Sequence, residues 1–106
     1  METIAFDPTA ATLVNTLTCD PNDQPKLLAL LRENIDNVIA TLDGWRSTTL
    51  VAAPDGVRVI ILSQWRDSVA IAAMQSDARM RAYFPKIAAL AAFDSTPGII
   101  SYTRQA

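Results

Sequence analysis

The chain has 106 residues, of which 50% are hydrophobic and 19% are charged, with a formal net charge of −2. This length predicts a single domain over residues 1–106, and the hydrophobic fraction is high for a small monomer, which needs much polar surface. The scattered basic residues form no patch for nucleic acid, no apolar run reaches the roughly 20 residues of a membrane span, and the N-terminus lacks signal-peptide features. We therefore expect a cytoplasmic protein that binds neither nucleic acid nor membrane.

The chain contains one cysteine, Cys19, and no histidine. A single cysteine cannot form an internal disulfide, which agrees with a reducing compartment. Without histidine, Cys19 also lacks the usual base partner of a catalytic thiol. We expect Cys19 to be an inert small residue.

The first half of the chain predicts a strand and a long helix. After a loose tail over 1–9, residues 10–18 alternate between apolar and polar, as in a half-buried strand. The stretch that follows has helical apolar spacing, with Asp20 as its expected cap, Pro21 in the first turn and Gly44 as the stop. This pattern predicts an amphipathic helix.

The second half predicts a hairpin, a second helical region and a final strand. Residues 45–53 and 57–66 are rich in Val, Ile, Thr and Trp and flank the turn sequence PDG. Helical patterns then start at Asp67 and again at Asp77, and a proline further on is expected to kink or break the helix before KIAALAAF. Residues 98–104, GIISYTR, are expected to form the last strand.

The resulting order, βαββαβ, predicts an α+β fold of the ferredoxin-like type. In this fold one four-stranded antiparallel sheet carries both helices on one face. The opposite face would then expose much apolar surface, which a second copy of the sheet is best suited to cover. We therefore predict a homodimer with two sheets face to face, and we assign to the covered face the residues Val14, Leu50, Ile60, Leu62 and Tyr102.

An asparagine, Asn15, lies between two leucines in the strand sequence LVNTLTC, on the side that the helices should cover. An unpaired amide there would cost about 1 to 3 kcal/mol. Ser63 and Trp65 on the third strand have the parity that points to the same layer, so the three side chains can reach one cavity. Either Asn15 bonds to Ser63 or to backbone and Trp65 is a core aromatic, or the group forms a small-molecule pocket.

Several segments resemble the antibiotic biosynthesis monooxygenase family of dimeric ferredoxin-like (dimeric α/β barrel) proteins. They are VNTLTCDPNDQPKLLALLREN, LDGWRSTTLVAAPDG, VIILSQWRD and MQSDARMRAYFPKIAAL, and the likeness covers roughly 10–104. Anthrone and anthraquinone oxygenases of this family, which act in polyketide pathways without a cofactor, use a first-strand asparagine and a tryptophan that ends the third strand. Asn15 and Trp65 match these two positions.

The resemblance implies a set of site residues and a reaction. Asn15 and Trp65 would be the catalytic donors. Some of these oxygenases also use a tyrosine and an arginine on or near the second helix, where Tyr83, Arg79 and Arg81 are available for substrate binding. The alternative is that Tyr83 is a core aromatic and these arginines are solvated. The remaining wall of a flat-ring cavity is expected to come from Leu13, Leu17, Ile61, Ser63, Met80 and Phe84.

No bound redox centre is expected. The three glycines form no phosphate loop, and the chain lacks the His and Cys clusters of a metal site. A small aromatic substrate that is acidic and electron-rich, such as an anthrone or hydroquinone, could instead react directly with O2 as co-substrate. A polyketide cyclase or isomerase, and a non-catalytic dimeric binding protein, remain alternatives on the sequence alone.

Overall fold

A computed structural model describes residues 6–106 and contains one antiparallel four-stranded sheet. The strands are β1 (Ala11–Cys19), β2 (Trp45–Ala52), β3 (Arg58–Trp65) and β4 (Ala91–Ile99). Their order across the sheet is β2-β3-β1-β4, so β1 is a central strand that pairs with both β3 and β4. The predicted ferredoxin-like α+β fold is confirmed.

The helices lie against one face of the sheet. They are α1 (Gln24–Asn37), α2 (Ser68–Ser76) and α3 (Ala78–Ala88), and a short 3-10 turn, Ile39–Thr41, follows α1. Strand side chains of alternate parity are buried beneath them, as expected for a sheet that is covered on one side. On β1 and β3 the buried apolar residues of this face are Leu13, Leu17, Cys19, Val59, Ile61 and Trp65.

Two aspartates cap the helices of the second helical region. Asp67 accepts a hydrogen bond from the Ala70 backbone N–H, and Asp77 accepts from two N–H groups at the start of α3, which matches the predicted restart. The prediction that Asp20 caps α1 is wrong. Its carboxylate closes a turn by accepting from the Asn22 N–H, and α1 begins only at Gln24, with a different proline in its first turn.

The C-terminal third differs most from the sequence prediction. Pro85 does not break the second helical region but lies inside α3, which continues to Ala88. The predicted strand over 98–104 is also wrong, because β4 covers Ala91–Ile99 and residues 100–106 have no regular structure. The order of elements is unchanged, but the last strand is shifted by about one strand length toward the N-terminus.

Pairing with β1 explains why the segment AAFDSTPGI is a strand despite its weak β propensity. β4 matches β1 residue for residue, from Ala11 opposite Ile99 to Cys19 opposite Ala91. Because β4 is an edge strand, Pro97 can be accommodated without removing a bond that the sheet needs on both sides. Tertiary pairing here overrides the local preference.

The sheet face away from the helices carries some, but not all, of the apolar residues assigned to it. Val14 pairs with Leu62 on that face, and both are partly exposed. Leu50 was assigned there wrongly, because it pairs with Ile61 and packs into the core beneath the helices. Tyr102 follows β4, is 77% exposed, and lies beside Val14 and Leu62 along a shallow groove.

Part of the predicted N-terminal tail is held against the sheet. The Gln64 side chain accepts a hydrogen bond from the Asp7 N–H and donates to the Asp7 carbonyl, each at 2.9 Å, and it also donates to the Thr12 hydroxyl at 3.1 Å. Gln64 is therefore buried although it points away from the helices. The remainder of the tail, residues 1–5, lies outside the described residues.

Gly44 makes the turn that connects the helical region to β2. Its φ is +83°, and a Cβ at this position would lie 2.6 Å from the Ala70 Cβ, well inside contact distance. Its carbonyl accepts a 2.7 Å hydrogen bond from the Arg66 N–H, directly after Trp65. The turn thus allows the end of β3 and the start of α2 to approach closely.

We expect Gly44→Ala to lower the free energy of unfolding by about 1 to 3 kcal/mol, because it combines a left-handed backbone with overpacking against Ala70. Gly98→Ala is the matched control, since a Cβ at Gly98 meets nothing within 4 Å. Urea unfolding of both variants checks this. Equal stability of the two variants would contradict the role assigned to Gly44.

Candidate active site

A cavity of about 320 Å³ lies between the sheet and the helices. This volume is at the lower end of the range found for small-molecule sites. Apolar side chains make most of its wall, and the polar side chains are few and uncharged. The lining residues are Leu13, Asn15, Leu17, Leu31, Asn34, Ile35, Ile39, Thr48, Ile61, Ser63, Trp65, Met74, Gln75, Met80, Phe84, Ile87, Ala88, Phe93 and Ser95.

The sheet wall brings together the residues that the sequence analysis placed there. Alternation on β1 directs Leu13, Asn15 and Leu17 into the cavity, and the antiparallel register sets Leu13 opposite Ser63 and Asn15 opposite Ile61. Because β1 and β3 are adjacent, these side chains share one surface. The predicted neighbourhood of the first and third strands is therefore confirmed.

Asn15 contributes a buried carboxamide to the centre of this wall. The residue is 8% exposed, and its Oδ1 atom has no hydrogen-bond partner among the described residues. Its neighbours on the flanking strands are Ile61 and Ser95. The alternative in which Asn15 bonds to Ser63 is not realised, so a polar atom that normally costs stability when unpaired is kept beside a cavity.

Trp65 and Ser63 are joined to each other. The Trp65 indole Nε1–H donates to the Ser63 Oγ at 3.1 Å, and Trp65 is 0% exposed. The indole hydrogen is thus already used within the protein. The Ser63 hydroxyl accepts this bond and keeps its own hydrogen for a further acceptor, so it is the group of this pair with a donor to spare.

The helix wall contains the two predicted residues Met80 and Phe84, both on α3. Met80 is buried, whereas Phe84 keeps 38% of its surface exposed. The helix wall also contains Asn34, which the sequence analysis missed. Its spacing of three residues from Leu31 would have placed it on the buried face of α1.

Tyr83 and Arg79 do not line the cavity. The Tyr83 hydroxyl donates to the Glu33 carboxylate at 2.9 Å, and this hydrogen bond raises the pKa of Tyr83. Arg79 lies 3.5 Å from the Asp77 carboxylate at the start of α3. The Tyr83 ring is half-buried and packs against the core, and the Arg79 side chain is exposed, so their assignment to substrate stays a prediction.

The cavity contains no charged side chain and no cysteine. Within residues 6–106 no group of three His, Cys, Asp or Glu side chains is placed to hold a metal ion, and none of the helices described there is both long and apolar enough to cross a membrane. Cys19 is buried in the core, where desolvation raises the pKa of its thiol, and Asp23, Asp20 and Asp55 raise it further. These surroundings disfavour the reactive thiolate.

The groups at the cavity suit the binding of a flat, mostly apolar molecule with a few oxygen atoms. An asparagine amide and a serine hydroxyl can donate to a ligand oxygen, and the unpaired Asn15 oxygen can accept from a ligand hydroxyl. Such dipoles stabilise a developing oxyanion most strongly where water is excluded. No histidine or carboxylate at the wall is available as a general base.

Solved structures share this fold at low sequence identity. The cofactor-independent oxygenase SnoaB from Streptomyces nogalater is 17% identical with a TM-score of 0.75, over 90% of this chain and 96% of that one. The monooxygenase ActVA-Orf6 of Streptomyces coelicolor, in complex with nanaomycin D, is 21% identical with a TM-score of 0.84, over 93% and 94%. A putative antibiotic biosynthesis monooxygenase from Nitrosomonas europaea is 13% identical with a TM-score of 0.78, over 93% and 97%. At these identities the likeness shows the fold alone.

Sequence comparison is more decisive at the level of the family. No curated protein matches the chain significantly. The family model described as antibiotic biosynthesis monooxygenase matches residues 10–86, which include β1, α1, the β2-β3 hairpin, α2 and most of α3. Because this match covers well over half of the sequence, the chain belongs to the antibiotic biosynthesis monooxygenase family.

Proposed function

We propose that this protein is a cofactor-independent oxygenase that oxidises a polyketide-type anthrone or hydroquinone to the quinone with O2. The observation that carries the proposal is the Asn15 carboxamide, buried in an apolar cavity with its oxygen unpaired. A fold that needed only stability would gain from an apolar residue at this position. A ligand with oxygen substituents would instead give the amide its partners.

The substrate supplies the reactivity that the cavity lacks. An anthrone that has lost a proton to solvent water before it is enclosed is an enolate, which can transfer an electron to O2 directly. The methylene group then becomes a carbonyl: it loses two hydrogens, gains one oxygen atom, and the second oxygen atom leaves as water. A hydroquinone would instead give two electrons and two protons to O2 and form hydrogen peroxide. Neither reaction requires a further reductant.

The protein would favour the anion and exclude water. The Asn15 Nδ2 can donate to the substrate oxyanion, and the Ser63 hydroxyl can donate from the neighbouring strand while Trp65 donates to its oxygen. Because this indole hydrogen bond fixes the Ser63 oxygen as an acceptor, it directs the hydroxyl hydrogen elsewhere. Trp65 would then act through Ser63, while its ring forms part of the cavity wall.

Two relatives support the chemistry without establishing it for this chain. SnoaB is described as a cofactor-independent oxygenase, and ActVA-Orf6 is a monooxygenase that was solved with nanaomycin D bound. Membership of the same family makes a small aromatic ligand and O2 the first substrates to test. The proposal includes a cytoplasmic location and no bound flavin, haem or metal.

A homodimer is part of the proposal. On the sheet face away from the helices, Val14, Ile60 and Leu62 are partly exposed and form a continuous apolar strip across β1 and β3. Two such strips in contact would remove apolar surface from water at roughly 25 cal/mol per Å². The groove beside Tyr102 would then become part of the interface between the two copies.

A second reaction class uses the same donors. Stabilisation of an enolate by Asn15 and Ser63 would equally assist a polyketide cyclase or isomerase, which consumes no O2. A binding protein with no catalytic activity is the remaining alternative. Oxygen uptake separates the oxygenase from the other two functions, and conversion of the substrate separates the cyclase from the binding protein.

Oxygen uptake with a panel of hydroxylated anthrones and hydroquinones is the direct test. We expect the purified protein, free of added cofactor, to accelerate uptake above the rate of spontaneous oxidation. Conversion of the panel without uptake would favour the cyclase, and binding without conversion would favour the binding protein. Visible absorbance and elemental analysis of the same sample are the control, since a stoichiometric chromophore or metal would contradict the cofactor-free mechanism.

We expect Asn15→Ala to lower kcat/KM for oxygen uptake by about 10- to 1000-fold, the loss expected for a donor in a site without water. Its melting temperature should change little beyond the effect of lost volume, because no partner of the Asn15 oxygen is left unpaired. Asn22→Ala, in an exposed turn before α1, is the control and should keep both properties. A large fall in melting temperature with unchanged turnover would remove Asn15 from the mechanism.

Light scattering at micromolar concentration should give about twice the chain mass of 11.5 kDa. Leu62→Glu should shift this value toward the monomer, because it buries a charge in the proposed interface. Val69→Glu is the control, since Val69 is exposed on α2, away from that face. A wild-type monomer at this concentration would rule out the face-to-face dimer.

A further inference from the structure

A second asparagine, Asn34, is buried at the cavity on the opposite wall from Asn15. It lies on α1, is 3% exposed, and its Oδ1 atom has no hydrogen-bond partner among the described residues. Asn15 and Asn34 are the two residues of the described chain that have such an atom. Both line the same cavity, one from the sheet and one from the helices.

We propose that Asn34 is a specificity-determining residue that accepts a hydrogen bond from a ligand hydroxyl, and that together with Asn15 it selects aromatic ligands with two hydroxyl donors. The inference rests on the proposed function only in taking this cavity as the site of an aromatic ligand. It adds a recognition rule: the cavity distinguishes ligands by the number of donors that they present.

The chemistry of the two unpaired atoms gives this rule. Each is a carbonyl oxygen, which can only accept a hydrogen bond. An ether or quinone oxygen cannot donate, so a ligand that carries only such oxygens leaves both amide oxygens unpaired. A ligand hydroxyl satisfies one of them. The other polar side chains of the wall are Thr48, Ser63, Gln75 and Ser95, and replacing Asn34 alone separates its contribution from theirs.

The position of Asn34 argues against a purely structural role. Leu27 and Leu31 precede it on the same face of α1, and both are buried in the core between α1 and the sheet. Another leucine at position 34 would continue this apolar face without an unpaired polar atom. An asparagine there weakens the fold, which is expected of a residue kept for a ligand.

The test is calorimetric titration of the full-length protein, without oxygen so that no turnover occurs. The ligands are 1,4-dihydroxynaphthalene, 4-methoxy-1-naphthol and 1,4-dimethoxynaphthalene, which share one ring system and carry two, one and no hydroxyl donors. We expect the wild type to bind them in this order, with about a tenfold weaker Kd for each donor lost, which corresponds to about 1.4 kcal/mol.

In the wild type the affinity falls in two tenfold steps, one for each hydroxyl donor lost. Asn34→Leu should abolish one of these two steps, so that the ligands with two donors and one donor bind within about threefold of each other. Its melting temperature should stay equal to that of the wild type or rise. Asn22→Leu, the same substitution at an exposed position in the turn before α1, should leave both steps intact.

Equal affinity of the wild type for the three ligands would overturn the inference, and so would failure to bind any of them. A lower melting temperature of Asn34→Leu with both steps retained would show that Asn34 is structural. These outcomes are independent of oxygen uptake: the donor series can hold in a protein that is not an oxygenase, and an oxygenase can lack it.

Discussion

The central position of β1 is the constraint on which the rest of the structure depends. Because β1 is hydrogen-bonded on both sides, to β3 and to β4, its register cannot shift by one residue without turning every side chain to the other face. The two leucines on either side of Asn15 are buried beneath the helices and fix that register. The same hydrophobic burial that stabilises the sheet therefore holds Asn15 in the apolar layer.

The sequence was sufficient for the fold class and for most of the sheet wall. Period-two alternation and the turn between β2 and β3 are local patterns, and they placed Asn15, Ser63 and Trp65 on one side of adjacent strands. Local patterns failed where pairing decides the structure. β4 is built from a segment with weak β propensity that becomes a strand because β1 offers it a free edge, and Leu50 faces the core because of its register with Ile61.

The candidate site was predictable in part for the same reason. Strand parity identified the polar residues of the sheet, but the hydrogen bond from Trp65 to Ser63 depends on side-chain rotamers that no spacing specifies. Asn34 followed the apolar spacing of α1 and could have been recognised from it. Tyr83 was expected near a ligand, yet its hydroxyl on α3 donates to the Glu33 carboxylate on α1. This contact can be predicted only if the angle at which α1 packs against α3 is known.

The uncharged wall of the cavity has a consequence for the conditions under which the protein can work. Its polar groups are neutral amides and hydroxyls, while the ion pairs of the described chain, such as Arg66 with Asp43, are exposed at the surface. Dissolved salt screens exposed charges over about 10 Å at 0.1 M, but it has little effect on short-range dipoles in a buried site. A ligand bound in this cavity would therefore be held by shape and hydrogen bonding, and ionic strength would have little influence on those contacts.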